Sequence, residues 1–325
     1  MKLYRNAIIL LVVLAIIIGV YYVVKINRPD EFSGPTTANT ISLWEDFTID
    51  DIDTIQIENN GRKYVVTRIQ KEQTTEEGTT TTEEWGLTYP ENFKYDKYKS
   101  KAIALNLEDL KANKIIEEDA SDLSKYGLDN PVVVTVNLKD GKKHVLEFGN
   151  KTVTGENFYA KVKDKNTVYT ISNYFGRNMV FEPTYIRSTS ILDIDSDSII
   201  AFTMWRNGEL AFDTRAPEEG SENRSEGNYW SLTYPVEANV DFEAIIPMTQ
   251  TASVLTAAEV VEIGAQDLSK YGLDNPSYAY ELKTADKSYK VLLGNLRNEG
   301  SQIYAKLEDS NEVFAVNFNT LNFID

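Results

Sequence analysis

Alternation of apolar and polar positions, broken by two helical stripes, divides most of the chain into two similar runs of elements. In DIDTIQIENNGRKYVVTRI, residues 51–69, Ile52, Ile55 and Ile57 lead into Asn59-Asn60-Gly61, and Tyr64-Val65-Val66 return. Asn-Gly between two apolar strands is the strongest short hairpin signal, because both turn residues need a positive φ. SIIAFTMWRNGELAF at 198–212 repeats this with Asn207-Gly208 at its turn. Polar tracts follow each hairpin, KEQTTEEGTTTTEE at 71–84 and PEEGSENRSEGN at 217–228; with so few apolar residues, both are expected to be mobile. In 97–111, Ile103, Leu107 and Leu110 fall at i, i+4 and i+7, which predicts an amphipathic helix. Its counterpart at 241–256 has Asp241 as a candidate N-cap but holds Pro247 inside the pattern. That helix either starts at Pro247 or is kinked there.

Strands complete each run. Val132, Val134, Val136 and Leu138 alternate with more polar neighbours, as a half-buried strand does. Tyr278, Tyr280 and Leu282 do the same later, displaced by one residue until Gly294, a slip that a β-bulge would explain. HVLEF and YKVLL, FYAKV and IYAKL, TVYTI and EVFAV add three strands to each run. The expected fold class is α+β: two tandem repeats of a mostly antiparallel sheet with one longer helix.

The repeat is also written letter for letter. DLSKYGLDNP stands at 122–131 and again at 267–276, and at the same offset WGLTYP answers WSLTYP, Gly149-Asn150 answers Gly294-Asn295, and Val168-Tyr169 answers Val313-Phe314. A reaction centre needs one set of groups, whereas structural punctuation is copied whenever its module is copied. In the phrase, Ser121 or Asp122 caps one helical turn, Gly127 ends it in the left-handed conformation, and Leu128 folds back over it. Pro131 pushes Asn130 into an extended conformation and suits the first position of a strand. The competing reading makes the phrase a surface on which Tyr126, Asp129 and Asn130, with Tyr271, Asp274 and Asn275 in the second copy, contact a ligand.

Ahead of the repeats lies AIILLVVLAIIIGVYYVV, residues 7–24, uncharged and flanked by Lys2 and Arg5 on one side and Lys25 and Arg28 on the other. As a helix it would span about 27 Å, close to the bilayer hydrocarbon. Tyr21-Tyr22 suit an interfacial belt, and no small-x-small cleavage site follows. This predicts a cytoplasmic tail at 1–6, a transmembrane signal anchor at 7–24, a stalk at 25–48, and repeat modules at 49–189 and 190–325. The bulk of the chain is then extracytoplasmic on a single-pass cell-membrane protein, with the bilayer contacted through residues 7–24.

Charge and composition remove several function classes. Lys and Arg number 33 against 50 Asp and Glu, a formal charge of −17, and the basic residues around the apolar run leave the remainder more acidic still. Such a surface argues against nucleic acid as a partner. The chain has no cysteine, so disulfides, thiolate metal sites and thiol nucleophiles are excluded. The single histidine, His144, lies in a strand with Leu146 and Phe148, opposite Tyr289 in the repeat, and reads as an aromatic filler at a sheet edge. LDIDSDS at 192–198 resembles the start of a calcium loop, but Ser198 stands where glycine is needed and Met204 where glutamate is needed. Glu83-Glu84 beside Trp85 offer carboxylates for hydrolysis, yet Asn228-Tyr229 replace them beside Trp230. Neither catalytic residues, a metal nor a cofactor is assigned.

The apolar anchor, the W-x-L-x-Y-P strand, the D-L-x-x-Y-G-L-D-N-P turn, the strand pair ending in F/L-G-N and the Y-A-K strand together resemble the bacterial domain-of-unknown-function 4340 family, in two tandem copies. The resemblance implies an envelope protein anchored in the cytoplasmic membrane. Some members are similar to accessory subunits associated with ABC-type transport systems, including the gliding-associated type. The family offers no catalytic residues to carry over. The expected function is therefore a non-catalytic binding or scaffold protein whose partner is another membrane protein, such as a transporter permease. The alternatives are a glycan or small-ligand receptor with its site between the modules, and a carboxylate-dependent envelope hydrolase.

Overall fold

Two antiparallel sheets, joined by a short linker, make up the folded chain in a computed structural model that describes residues 40–75, 78–217 and 230–324. The anchor at 7–24 and most of the polar tract at 217–228 lie outside the described residues. Among the described residues no helix is long and apolar enough to cross a membrane.

The first sheet contains β1 (Ile52–Asn59), β2 (Arg62–Thr75), β3 (Gly78–Tyr89), β4 (Lys114–Glu117), β5 (Val132–Leu138), β6 (Lys143–Lys151), β7 (Asn157–Val162) and β8 (Val168–Ser172), with helix α1 (Lys97–Glu108) between β3 and β4. Its strand order is β3-β2-β1-β5-β6-β7-β8-β4. The second contains β9 (Ala201–Arg206), β10 (Glu209–Arg215), β11 (Trp230–Tyr234), β12 (Ala238–Val240), β13 (Glu259–Ile263), β14 (Tyr278–Lys283), β15 (Ser288–Arg297), β16 (Gln302–Leu307) and β17 (Glu312–Asn317), with α2 (Phe242–Ser253). Its order, β12-β11-β10-β9-β14-β15-β16-β17-β13, repeats the first with one strand added at the edge.

Local chemistry explains the elements. Asn60-Gly61 and Asn207-Gly208 take positive φ, 49° and 76° in the first pair and 50° and 80° in the second, as two-residue hairpin turns require. Asp96 caps α1 by accepting the Tyr98 and Lys99 amides at 2.9 and 3.2 Å. Ile103 and Leu107 of that helix are fully buried against Ile55, Ile57, Val134 and Phe148 of the sheet, and Leu110 just beyond it is buried too. In the second module Ile245 and Ala252 of α2 pack into a core with Phe202, Tyr280, Leu282 and Leu293. The Tyr280 phenol is wholly buried and donates to the Ala252 carbonyl at 3.1 Å, so its polar tip is satisfied while burial raises its pKa.

The structure corrects three expectations and decides between two alternatives for α2. Residues 71–75 and 78–84 are strand, not loop: β2 and β3 pair in register from Arg68↔Trp85 out to Thr75↔Gly78. Threonine favours extended backbone, and ladder hydrogen bonds do not need apolar side chains. The one-residue slip in the second copy is not a bulge, because β14 pairs without interruption with both β9 and β15. Ser277 is an extra residue before the strand, and the hairpin after it is one residue shorter, running Lys283↔Ser288 where the first copy runs Asn137↔Lys143. α2 begins at Phe242 with Asp241 as its cap, accepting the Glu243 amide at 3.0 Å, so of the two alternatives a start at Pro247 is ruled out and the proline lies inside the helix. His144 is not at a sheet edge: β6 is an interior strand, and the imidazole stacks on Trp44 and Phe47, with centroids at 5.2 and 5.7 Å.

Candidate functional site

The duplicated phrase folds the same way twice. Asp122 Oδ1 accepts the Ser124 amide and hydroxyl at 3.1 and 2.6 Å, and Asp267 does the same for Ser269 at 3.0 and 2.6 Å. Gly127 and Gly272 then take φ of 69° and 67°, and the amides of Leu128 and Leu273 reach back to the carbonyls of Leu123 and Leu268, each at 3.1 Å. Leu128 and Leu273 are buried as the lids of small apolar clusters. Tyr126 donates its hydroxyl to Glu117 Oε2 at 2.7 Å, and Lys125 Nζ approaches the same oxygen at 2.6 Å; Tyr271, Lys270 and Glu262 repeat the triangle. The hydrogen bonds from the lysine and then the tyrosine hold both glutamates below the usual carboxylate range.

The Gly-Asn pair has a packing cause that the sequence hides. A Cβ at Gly149 would sit 2.2 Å from the Tyr126 carbonyl oxygen, and one at Gly294 the same distance from that of Tyr271. Only a residue without a side chain lets the turn lie on the sheet. Of the six candidate surface residues, Tyr126 and Tyr271 are therefore buried and occupied by the fold. Asp129, Asn130, Asp274 and Asn275 are exposed, and none of them lines the concave regions described next.

A concave feature lies between the modules. It is a cleft of about 900 Å³ floored by linker residues 188–194. Both modules grip that linker. On the first side Asp96 N donates to Ile186 O at 2.8 Å and Ser188 N to Lys94 O at 2.9 Å. On the second, Ala257 N donates to Thr189 O at 2.8 Å and Ile191 N to Leu255 O at 2.9 Å. Arg187, 2% exposed, crosses the junction and forms a two-point pair with Glu312, both N–O distances being 2.7 Å. Its third donor group reaches the Ser188 carbonyl at 2.6 Å, and its plane covers the Phe314 ring. Such a fork is geometrically specific, which lysine would not be.

Charges of both signs line the cleft. Lys71 pairs with Glu84 at 2.7 Å, and the Tyr95 hydroxyl donates to the same carboxylate at 3.2 Å. Burial pushes the Tyr95 phenol up to about 12, and the neighbouring Glu84 adds to the rise. Burial also pushes Glu84 up, but Lys71 and the Tyr95 hydroxyl outweigh it and hold the carboxyl low. Glu83 points to the other face of β3, toward Arg68 at 2.8 Å, so the two adjacent glutamates do not converge on one point. Lys94, Lys97 and Lys287 have no carboxylate within ion-pair distance among the described residues. Lys97 and Lys287 instead lie over Tyr98 and Tyr289, at 5.4 and 4.9 Å from the ring centres. Asp195 of the LDIDSDS stretch caps a turn by accepting the Asp197 amide at 3.0 Å. No group of three or more His, Asp or Glu among the described residues is placed to hold a metal ion.

Two consecutive segments, 85–229 and 230–325, match the family described as Domain of unknown function (DUF4340). The chain belongs to this family. No curated protein and no solved structure matches it. The matched segments open at Trp85 and Trp230, so the first family segment runs on through β9 and β10 into the second sheet. In each sheet the opening hairpin thus precedes the tryptophan at which the family match begins.

Proposed function

We propose that this DUF4340 protein is a non-catalytic binding or scaffold protein. It is anchored in the cell membrane through residues 7–24 and holds its two modules outside the cytoplasm against another membrane protein, as an accessory component of an ABC-type or related envelope complex. The observation that carries this reading is the clamped linker with its buried Arg187–Glu312 pair. It fixes the spacing of two like-built sheets, and two contacts at fixed spacing raise avidity without a strong single site. The duplicated turns support it as well, since Asp122, Tyr126 and Leu128, with Asp267, Tyr271 and Leu273, are engaged within the fold. Against the hydrolase alternative, Glu83 and Glu84 face opposite ways and each has a basic partner.

The test is crosslinking and affinity purification of the full-length protein from its native membrane, beside a chain lacking residues 190–325. Recovery of a stoichiometric membrane partner that is lost on truncation is expected. Undiminished recovery with the truncated chain, or recovery of the protein alone, would contradict the proposal. A receptor for a small ligand is the second reading, favoured by the size and lining of the cleft.

A further inference from the structure

We infer that the cleft between the modules is a saccharide-binding site in which Tyr98 and Tyr289 are the stacking faces. Tyr289 stands in the second module where His144 stands in the first, each opposite an inward residue of the preceding strand, Leu282 and Val136. His144 is covered by the rings of Trp44 and Phe47, and the concavity beside it measures about 220 Å³. The chain leading into β9 offers no aromatic residue there, its apolar positions being Ile191, Leu192 and Ile194. Tyr289 consequently lines both the inter-module cleft and an adjoining concavity of about 900 Å³. A ring position that one module plugs with its own indole borders open concavities in the other, half-buried against the core and with Lys287 Nζ 4.9 Å from the ring centre.

The first module contributes the opposing platform, Tyr98, which is 75% exposed. Each tyrosine carries a lysine without a carboxylate partner, Lys97 on one wall and Lys287 on the other, while Asp193, Glu281 and Asp309 supply acceptors from the second module. A pyranose has one apolar C–H face and a rim of hydroxyls that both donate and accept. Rings for the face, and donors with acceptors for the rim, are the groups this cleft presents. Its volume falls in the range of about 300–1,000 Å³ that holds small ligands. A purely apolar ligand would strand the charged rim without water, and a simple polyanion would meet the carboxylates. A peptide added as a strand would need a free backbone edge here, but the linker already pairs with residues 94–96 and 253–257.

The experiment uses full-length protein in detergent, titrated with two fluorescent oligosaccharide probes, one built of N-acetylhexosamine and one of neutral hexose. Tyr98→Ala, Tyr289→Ala, the ring-retaining Tyr98→Trp and Tyr289→Trp, and Tyr174→Ala as a control outside the cleft are compared, each checked for an unchanged melting curve. Saturable binding of at least one probe is expected, weakened about tenfold by each cleft alanine variant, retained by the tryptophan variants and unaffected by Tyr174→Ala. Three results would overturn the inference: no binding of either probe up to about 1 mM, binding indifferent to both cleft tyrosines, or tyrosine-dependent binding of a charged peptide library in place of saccharide. The outcome is independent of membrane-partner recovery, so this site and the scaffold reading fail separately.

Discussion

The two modules share one strand order yet differ where each meets the rest of the chain. In the first, Lys161 and Glu147 form an almost buried ion pair across β6 and β7 at 2.6 Å. In the second, the matching lysine, Lys306, faces Leu292 and is 3% exposed, donating only to the Glu308 carbonyl at 3.0 Å. Ala238–Val240 forms β12 and pairs with β11, whereas Tyr95, which matches Val240, instead forms an isolated bridge with Arg187 of the linker while its side chain stays on its own sheet. Among the features that survived duplication unchanged, Gly149 and Gly294 have no steric freedom, since each lies under a carbonyl oxygen. Two of the features that diverged, the Tyr95 bridge and the rings covering His144, lie where a module meets the linker or the chain that enters it.

That contrast can be broken most forcefully at the junction. Glu312→Ala leaves Arg187 buried and unpaired, and is expected to cost about 3 kcal/mol in denaturant unfolding and to separate one transition into two. Gly149→Ala and Gly294→Ala come next: each forces a carbonyl off its sheet, with an expected loss of about 2 kcal/mol. The two losses should be alike, since the geometry is the same in both modules; a large difference between them would show that the motif is held differently in the two copies.

Smaller effects separate the modules by pH. Burial first, and then the charge of Lys142, keeps the His144 imidazole below its ordinary value. The native state then binds fewer protons than the unfolded chain between the two values, so stability falls as pH drops through about 6.5 and the loss is complete below the native value. His144→Tyr, copying the second module, is expected to flatten that part of the stability–pH curve relative to wild type. Burial likewise depresses Lys306, an effect only partly offset by Glu308 and Asp309. Below its native pKa both states carry the proton and the buried charge costs stability; from there up to its unfolded value, stability recovers as pH rises. Leu292→Glu, copying Glu147, should remove this alkaline recovery, with a change on the order of 1 kcal/mol or less.

Much of this fold is legible in the sequence because it depends on local rules. Asn-Gly turns, the Ile103–Leu107 stripe and Gly127 each declare their conformation within a few residues. The Thr-rich stretch misleads because pairing across β2 and β3 is decided by the backbone, not by apolar content. Asp241 is legible as the cap of α2, while Pro247, which can open a helix or sit inside one, leaves the start undecided in the sequence. The cleft is illegible for a deeper reason: Tyr98, Asp193 and Tyr289 meet only through the linker's path, and nothing near Arg187 in sequence announces Glu312, 125 residues away. One signal was available. His144 and Tyr289 occupy the same place in the repeat, and only the first is preceded by a tryptophan able to cover it.

The central claim, that the linker holds the two modules as one body of fixed spacing, is tested most directly by a distance between them. The chain has no cysteine, so Val153→Cys and Asp286→Cys provide one spin-label site in each module of the full-length protein, read by pulsed electron resonance. A single narrow distance distribution, broadened by Glu312→Ala, is the expected result. A broad or two-peaked distribution in the otherwise native chain would mean that the modules hinge, and would contradict the account.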